Sequence, residues 1–266
     1  MGTKMKSVLS FMVLCLLSQV QAAQEEARSI KPGRYPRMER ACYRKMPTPE
    51  LNECLRSNFQ GLVPRMRSGI PGIYTGSVDP LYWPKFAHYF GGALIQGSLS
   101  VHDLSVWGFS NTKIQAVRAN VKNPQKMLVE VDWLVPKMDF FGHFKLNARM
   151  GTDFHGHGPF WLNLTDVGGT WTVTGAREKG EPTMEIVSFR GAPKIGGFKL
   201  RAKGAAFGND ALNDLVIATI NGAWRLFHQI ANPAVDREWG EWCRDKLNRV
   251  FLSNPYDELF PEKPIR

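Results

Sequence analysis

The stretch FFGHFKLNARMGTDFHGHG, residues 140 to 158, begins as a strand and ends on two histidines one residue apart. Phe144, Leu146, Ala148 and Met150 alternate with His143, Lys145, Asn147 and Arg149, the period-2 pattern of a sheet with one dry face. The fold turns on what that dry face packs against, and the chemistry on whether His155 and His157 hold anything.

The same alternation extends on both sides, from about residue 93 to 203. Ile95, Leu99 and Val101 alternate with Gln96, Ser98, Ser100 and His102, and Met127, Val129, Val131, Trp133 and Val135 with Glu130 and Asp132. Phe160, Leu162 and Leu164 oppose Asn163 and Thr165; Trp171 and Val173 oppose Thr170, Thr172 and Thr174; Phe198, Leu200 and Ala202 oppose Lys199, Arg201 and Lys203. Clusters such as Asn123-Pro124 and Gly168-Gly169 separate these runs, which predicts an antiparallel meander.

Helical patterns flank the strands. From Thr48 to Arg67, Leu51, Cys54, Leu55, Phe59 and Leu62 recur at three and four, with Thr48 as cap and Pro49 at the first helical position. Beyond Asn209 or Asp210, either of which can cap, Leu212, Leu215, Val216, Thr219, Ile220, Ala223, Trp224, Phe227 and Ile230 form one stripe. Asn232-Pro233 is expected to kink or interrupt it, and Ala234 to Leu252 carries Trp239, Trp242, Cys243, Leu247, Val250 and Phe251.

A long sheet with a single dry face and no second sheet to pack on must curl, and the apolar C-terminal helix is what it can curl around. The expected fold is α+β: a long C-terminal helix wrapped by a highly curved antiparallel β-sheet. Bulky Phe and Trp side chains close-pack poorly in such a wrap, which favours a lined cavity. From the strands its lining is expected to include Ile95, Leu99, Val131, Trp133, Phe144 and Leu146, then Phe160, Leu162, Trp171, Val173 and Phe198. The helical stripe adds Leu215, Ile220, Trp224 and Phe227.

The first residues read as an address: Lys4 and Lys6 precede an apolar run from Val8 to Leu17, and Val20-Gln21-Ala22 fits a cleavage site. Residues 1–22 are thus expected to be a signal peptide, 23–40 an irregular lead-in, and 41–266 one ligand-binding domain, secreted and extracellular. The net charge of +10 is dispersed over the polar faces of alternating strands, so a solvated basic exterior is expected and no nucleic-acid partner. With Cys15 in the leader, Cys42, Cys54 and Cys243 remain; Cys42 and Cys54 are the natural pair in an oxidising compartment, and Cys243 is left odd on a helical stripe.

Catalytic and metal motifs fail one by one. His155 and His157 have chelating spacing but no third ligand nearby, so no metal is expected. Gly169-Thr170-Trp171 imitates a lipocalin signature that belongs on a first barrel strand. Gly108-Phe109-Ser110-Asn111 lacks the last glycine of a nucleophile elbow, and Gly156-His157-Gly158 is followed by Pro159 rather than by a helix. No enzyme activity and no cofactor are expected. Asn163-Leu164-Thr165 is a glycosylation sequon.

Several segments together resemble the insect takeout and haemolymph juvenile-hormone-binding family. They are Cys42 to Cys54 with Asn52 between them, GIPGIYTGSVDPLYWPKF (69–86), GFSNTKI (108–114), LVPKMDFFGHFKLNARMGTDFHGHGPFWLNLTD (134–166), FGNDALNDLVIATINGAWRLF (207–227) and NPYDELFP (254–261). The resemblance implies a helix wrapped by a curved sheet around a tunnel for an elongated apolar ligand, with the Cys42–Cys54 bridge near the N-terminus, as in the tubular lipid-binding superfamily. It also implies a glycine repeat at FHGHG with variable residues between. Some hormone-binding relatives have a second disulfide; Cys243 has no partner cysteine here, which points to the takeout-like branch. The expected function is a secreted, monomeric carrier of a small hydrophobic ligand such as a juvenile-hormone-like terpenoid, a fatty acid or a related lipid signal, with room for a transient membrane or receptor contact. The alternative is a secreted, glycosylated membrane- or receptor-interacting protein without a small-molecule ligand.

Overall fold

In the computed structural model, described for residues 40–69, 76–91, 96–150, 152–206 and 209–264, two very long strands form a spine. They are β4, Met127–Met150, and β5, Thr152–Ala176, paired antiparallel from Met127↔Gly175 to Met150↔Thr152. The expected signal peptide, all but the last residue of the lead-in, and Ile95 lie outside the described residues.

Shorter strands attach to the two outer edges of this spine. On the β4 side, β3 (Lys113–Asn120) pairs with its first part, and β2 (Gln96–Trp107) with its last part, carrying β1 (Leu81–Gly91) beyond it. On the β5 side, β7 (Gly197–Ala202) pairs with the first part, and β6 (Glu185–Arg190) with the last. Seven strands thus make one antiparallel sheet among the described residues, but the meander expectation needs correction. β4 and β5 are each a single strand long enough to accept two different neighbours on one edge.

The dry face changes phase along the spine. Met127, Val129, Val131, Trp133 and Val135 are buried at odd positions, whereas Met138 and Ala148 are buried at even ones, with Phe140, Phe144 and Leu146 half-buried between them. The partner strand changes with it, from Val167, Trp171 and Val173 to Phe160, Leu162 and Leu164. The switch falls where Pro136 stands opposite Asp166, whose φ of 51° is in the left-handed region. A second Pro–Asp crossing sets Pro84 of β1 opposite Asp103 of β2, φ 52°, where β2 also bulges against β4. Each crossing joins a residue without an N–H to a residue in a conformation that L side chains seldom adopt, which bends the strands and turns the faces over.

The helices cover the sheet edges with side-chain amides. In α1 (Thr48–Leu62), Gln60 accepts from Ile114 N at 2.8 Å and donates to Thr112 O at 3.1 Å, beside the edge of β3. Asn221 of α2 (Asp210–Gly222) does the same for Leu200 of β7, at 2.7 and 2.9 Å. Asn248 of α3 (Trp224–Phe251) does so for Ile186 of β6, at 2.7 and 3.1 Å. An open strand edge is a template for further pairing, and these amides fill it.

Two helix expectations are corrected. Thr48 is not the cap of α1: it is the first helical residue, Pro47 precedes it, and no side-chain cap bond forms. The helix stops at Leu62 and continues as a 3₁₀ turn over Val63–Arg67, because Pro64 offers no N–H to the next α-helical bond. At the other end, α3 runs through Pro233 without interruption; the break lies upstream at Ala223, with φ −105° and ψ 19°. Asn221 ties the end of α2 to β7, and the chain turns immediately after that clamp.

The filled core lies at the end where β3, β6, α1 and the last turns of α3 meet. Ile186, Val121 and Val135 are fully buried there with Leu51, Met184 and the short helix α4, Tyr256–Leu259. Tyr256 is fully buried, its hydroxyl donates to the Val121 carbonyl, and Arg44 and Arg177 lie over its ring at 5.2 and 5.4 Å. Burial pushes its pKa up to about 12. Cys42 and Cys54 are bridged and pin the segment before α1; Cys243 is free and buried, and burial raises its thiol pKa.

Candidate functional site

The other half of the spine, residues 138–150 and 152–165, carries the FHGHG segment. Gly156 and Gly158 face inward, and the reason is close approach: a Cβ on Gly156 would sit 2.7 Å from the Ala205 carbonyl oxygen, and one on Gly158 2.2 Å from that of Lys203. Residues 203–206 therefore cross the inner side of β5, with His157 N donating to Gly204 O at 2.9 Å and Lys203 N to Pro159 O at 3.1 Å. Asn213 of α2, itself buried, clamps the crossing by accepting from Ala205 N at 2.9 Å and donating to Ala202 O at 3.1 Å. His155 and His157 are exposed on the outer face, and His155 Nδ1 lies 2.9 Å from Asn147 Oδ1. Among the described residues no group of three His, Cys, Asp or Glu side chains is placed to hold a metal ion.

Past this crossing the inner face is apolar and only partly covered. Leu99, Phe144, Leu146, Phe160, Leu162 and Phe198 are all half-buried, in contrast to the filled end of the sheet. Phe198 of β7 stacks on Trp224 of α3, with centroids 5.8 Å apart and planes at 5°. Arg225 lies over the Trp224 ring at 4.7 Å. Nearer the filled end, Trp133 and Trp171 stack at 4.7 Å, and Phe189 of β6 approaches Trp171 at 6.1 Å. Val131 is buried and Val173 half-buried on the same face.

The helical contribution is uneven. Trp224 is buried and Ile220 half-buried, but Leu215 is 63% and Phe227 43% exposed, so much of each of these two faces solvent. The stripe read from the sequence is wider than the surface the sheet covers. Three inner-face residues that the sequence reading left out are Phe140, Met138 and Phe189. The even-numbered alternation through Phe144 and Leu146 already carried the signal for the first two.

The outer face has different chemistry. Arg118 pairs with Asp132 at 2.5 Å and Glu130 at 3.0 Å, and bonds from Arg118 and Thr170 hold the Asp132 carboxyl down at about 2. Asn163 of the sequon donates to Asp139 Oδ1. An open cleft of about 630 Å³ beside β7 is lined by Trp161, Arg201, Ala202, Lys203, Asp210, Asn213 and Asp214, a mixed polar set unlike the inner face. Among the described residues no helix is long and apolar enough to cross a membrane.

The fold agrees with a known structure. The structure of Takeout 1 from Epiphyas postvittana superposes with a TM-score of 0.61 at 18% identity, covering 78% of this chain and 94% of that one, which establishes a shared fold. A curated relative from Schistocerca gregaria, "Putative beta-carotene-binding protein", is 27% identical over 236 residues, 80% of this chain and 85% of the relative. The family model described as haemolymph juvenile hormone binding protein (JHBP) matches residues 13–261, nearly the whole chain, and the chain belongs to that family.

Proposed function

We propose that the protein is a secreted carrier that holds one small, elongated hydrophobic molecule between the half-buried inner face of the sheet and helices α2 and α3. The observation that carries this reading is the row of Phe144, Leu146, Phe160, Leu162 and Phe198, apolar but incompletely covered, beside a half of the same sheet whose inner face is filled. Membership of a family that binds hydrophobic ligands supports it, as does a relative whose name specifies a carotenoid. The ligand classes that fit are a juvenile-hormone-like terpenoid, a fatty acid or a related lipid signal. Secretion rests on the leader at residues 1–22, and Asn163 is the proposed glycan acceptor on the outer face.

Magnitudes permit such a role. Burying about 12–15 carbons at roughly 0.8 kcal/mol each gives on the order of 10 kcal/mol. An association cost of at least about 4 kcal/mol leaves binding in the micromolar range before polar contacts are counted.

The test is titration of delipidated protein with a fluorescent fatty acid, alongside thermal melting. Wild type should bind saturably, and Leu146→Trp should abolish uptake with little change in Tm, because the added bulk fills open space. If the inner face is closed core, wild type will not bind. The larger side chain will then overpack the core, at a cost of about 1–3 kcal/mol.

A further inference from the structure

A helix that lays one face on a sheet normally turns a charged face to water. The outward face of α2 is uncharged instead. At 3.6 residues per turn, Ala211, Leu212, Leu215, Ala218, Thr219 and Gly222 fall within about 120° of its circumference, and all six are exposed. Buried Asn213 and half-buried Val216, Ile217 and Ile220 take the opposite side. The two carboxylates of the helix, Asp210 and Asp214, stand on its β7 flank. Leu226 and Phe227, in the first turn of α3, follow the stripe directly, and Leu226 is 57% exposed.

The surface beside this stripe is basic. Asn221 ties α2 to the edge of β7 at Leu200, and the alternate residues there, Lys199, Arg201 and Lys203, are exposed. The open cleft of about 630 Å³ joins the two elements: Trp161, Arg201 and Lys203 line it from the sheet, Asp210 and Asp214 from the helix. These charges do not neutralise one another, since no ion pair among the described residues involves Lys199, Arg201, Lys203, Asp210 or Asp214. A charge-free apolar stripe flanked by free cations and an exposed indole has the chemistry of a surface that works at a lipid–water boundary.

We propose that this face docks on an anionic lipid bilayer, with Leu212, Leu215 and Leu226 entering the headgroup boundary and Lys199, Arg201 and Lys203 facing the negative lipid groups. A bilayer accepts a charge-free stripe without needing a shaped partner, and its negative surface potential attracts the cations. A second copy of the chain suits the face less well, because it brings the same net charge of +10. The docking goes beyond the carrier reading, and its test is read with no guest bound.

The experiment is co-sedimentation of delipidated protein, without the leader proposed at residues 1–22, with vesicles of phosphatidylcholine alone or with about one-third phosphatidylserine. Wild type should bind the anionic vesicles at least about tenfold more tightly than the neutral ones, and high salt should release it. Lys199→Gln, Arg201→Gln and Lys203→Gln together should weaken binding about a hundredfold, roughly fivefold per cation. Lys122→Gln, Lys126→Gln and Lys179→Gln remove the same charge from exposed positions elsewhere and should change binding by less than about twofold. Leu215→Gln with Leu226→Gln, which leaves the charge untouched, should weaken it about tenfold or more at an unchanged Tm; Leu226→Gln alone repeats the test with a single exposed change. Wild type that ignores anionic vesicles, as it would if an acidic protein or a second copy were the true occupant, sinks the proposal. Equal losses in the two triple variants, or leucine variants that bind as wild type does, report charge attraction without a docking face and overturn it too. Fatty-acid titration of the wild type decides the carrier reading separately, so either can fail alone.

Discussion

The two halves of one sheet, built on the same pair of strands, have opposite interiors. Around residues 127–135 and 167–176 the inner face is filled: Val135 and Ile186 are fully buried, and helices close the edges. Around 138–150 and 152–165 the inner residues are as apolar, yet most are only half-buried. Composition alone does not make a core. The filled half packs β3, β6, α1, α4 and the end of α3 around Val129, Val131, Val135 and Ile186 and the Trp133–Trp171 stack. The other half has β7, α2, the start of α3 and the glycine crossing, and those helices leave Leu215 of α2 and Phe227 of α3 partly to solvent. One end of the molecule is closed core, and the other is the end proposed to take up a guest.

The most direct way to break this contrast is a matched pair of truncations. Ile186→Ala should cost about 2–5 kcal/mol, as large-to-small changes in filled cores do, while Leu146→Ala should cost less than half as much, because its site is already incompletely packed. Chemical denaturation of both variants measures it, and equal losses would erase the distinction. The edge clamps sharpen it. Asn248→Ala and Asn221→Ala each remove two bonds to a strand edge, from Ile186 and Leu200 respectively. An abandoned buried amide group typically costs about 1–3 kcal/mol. Amide hydrogen exchange should show that the first variant lowers protection throughout β6, and that the second loosens β7 and α2 without touching β6. The smallest effect is expected on the outer face, where Asp132→Asn should cost under about 1 kcal/mol. Because the folded carboxyl is held at about 2, below its ordinary value, the contribution is full at neutral pH and is lost as pH falls from about 4 toward 2. The difference between wild type and variant should therefore vanish near pH 2.

Much of this arrangement was legible from the residues. The alternations at 127–135 and 143–150, the helical stripe from Leu212 to Ile230 and the quoted family segments already implied a curled sheet on a helix. Other features were not. Val135-Pro136-Lys137 reads as the end of a strand, because proline removes a ladder donor, yet β4 passes through it with Asp166 opposite. Pro84 has the same effect on LYWPKFAHYFG, which precedes the alternations that start near residue 93, yet β1 passes through it with Asp103 opposite. Pro233, by contrast, promised a break that Ala223 supplies. A local rule states what a proline disfavours, and the partner strand or helix decides whether that cost is met. At the inner face the strand residues were readable by parity, but the Trp133–Trp171 stack and the neighbours of Gly156 depend on contacts between distant parts of the chain.

The Pro136–Asp166 crossing also bears on how such proteins can be recombined. The β4–β5 register is continuous through it: Val135 pairs with Val167 and Lys137 with Thr165, so the faces invert without either strand gaining a residue. Composition on either side is free to drift, but length is not, since a one-residue deletion in β4 would turn Phe140, Phe144 and Leu146 outward. The crossing is therefore a natural junction for chimeras. The half proposed to hold the guest in one family member can be spliced onto the filled half of another there, and under that proposal ligand preference should travel on one side and thermal stability on the other.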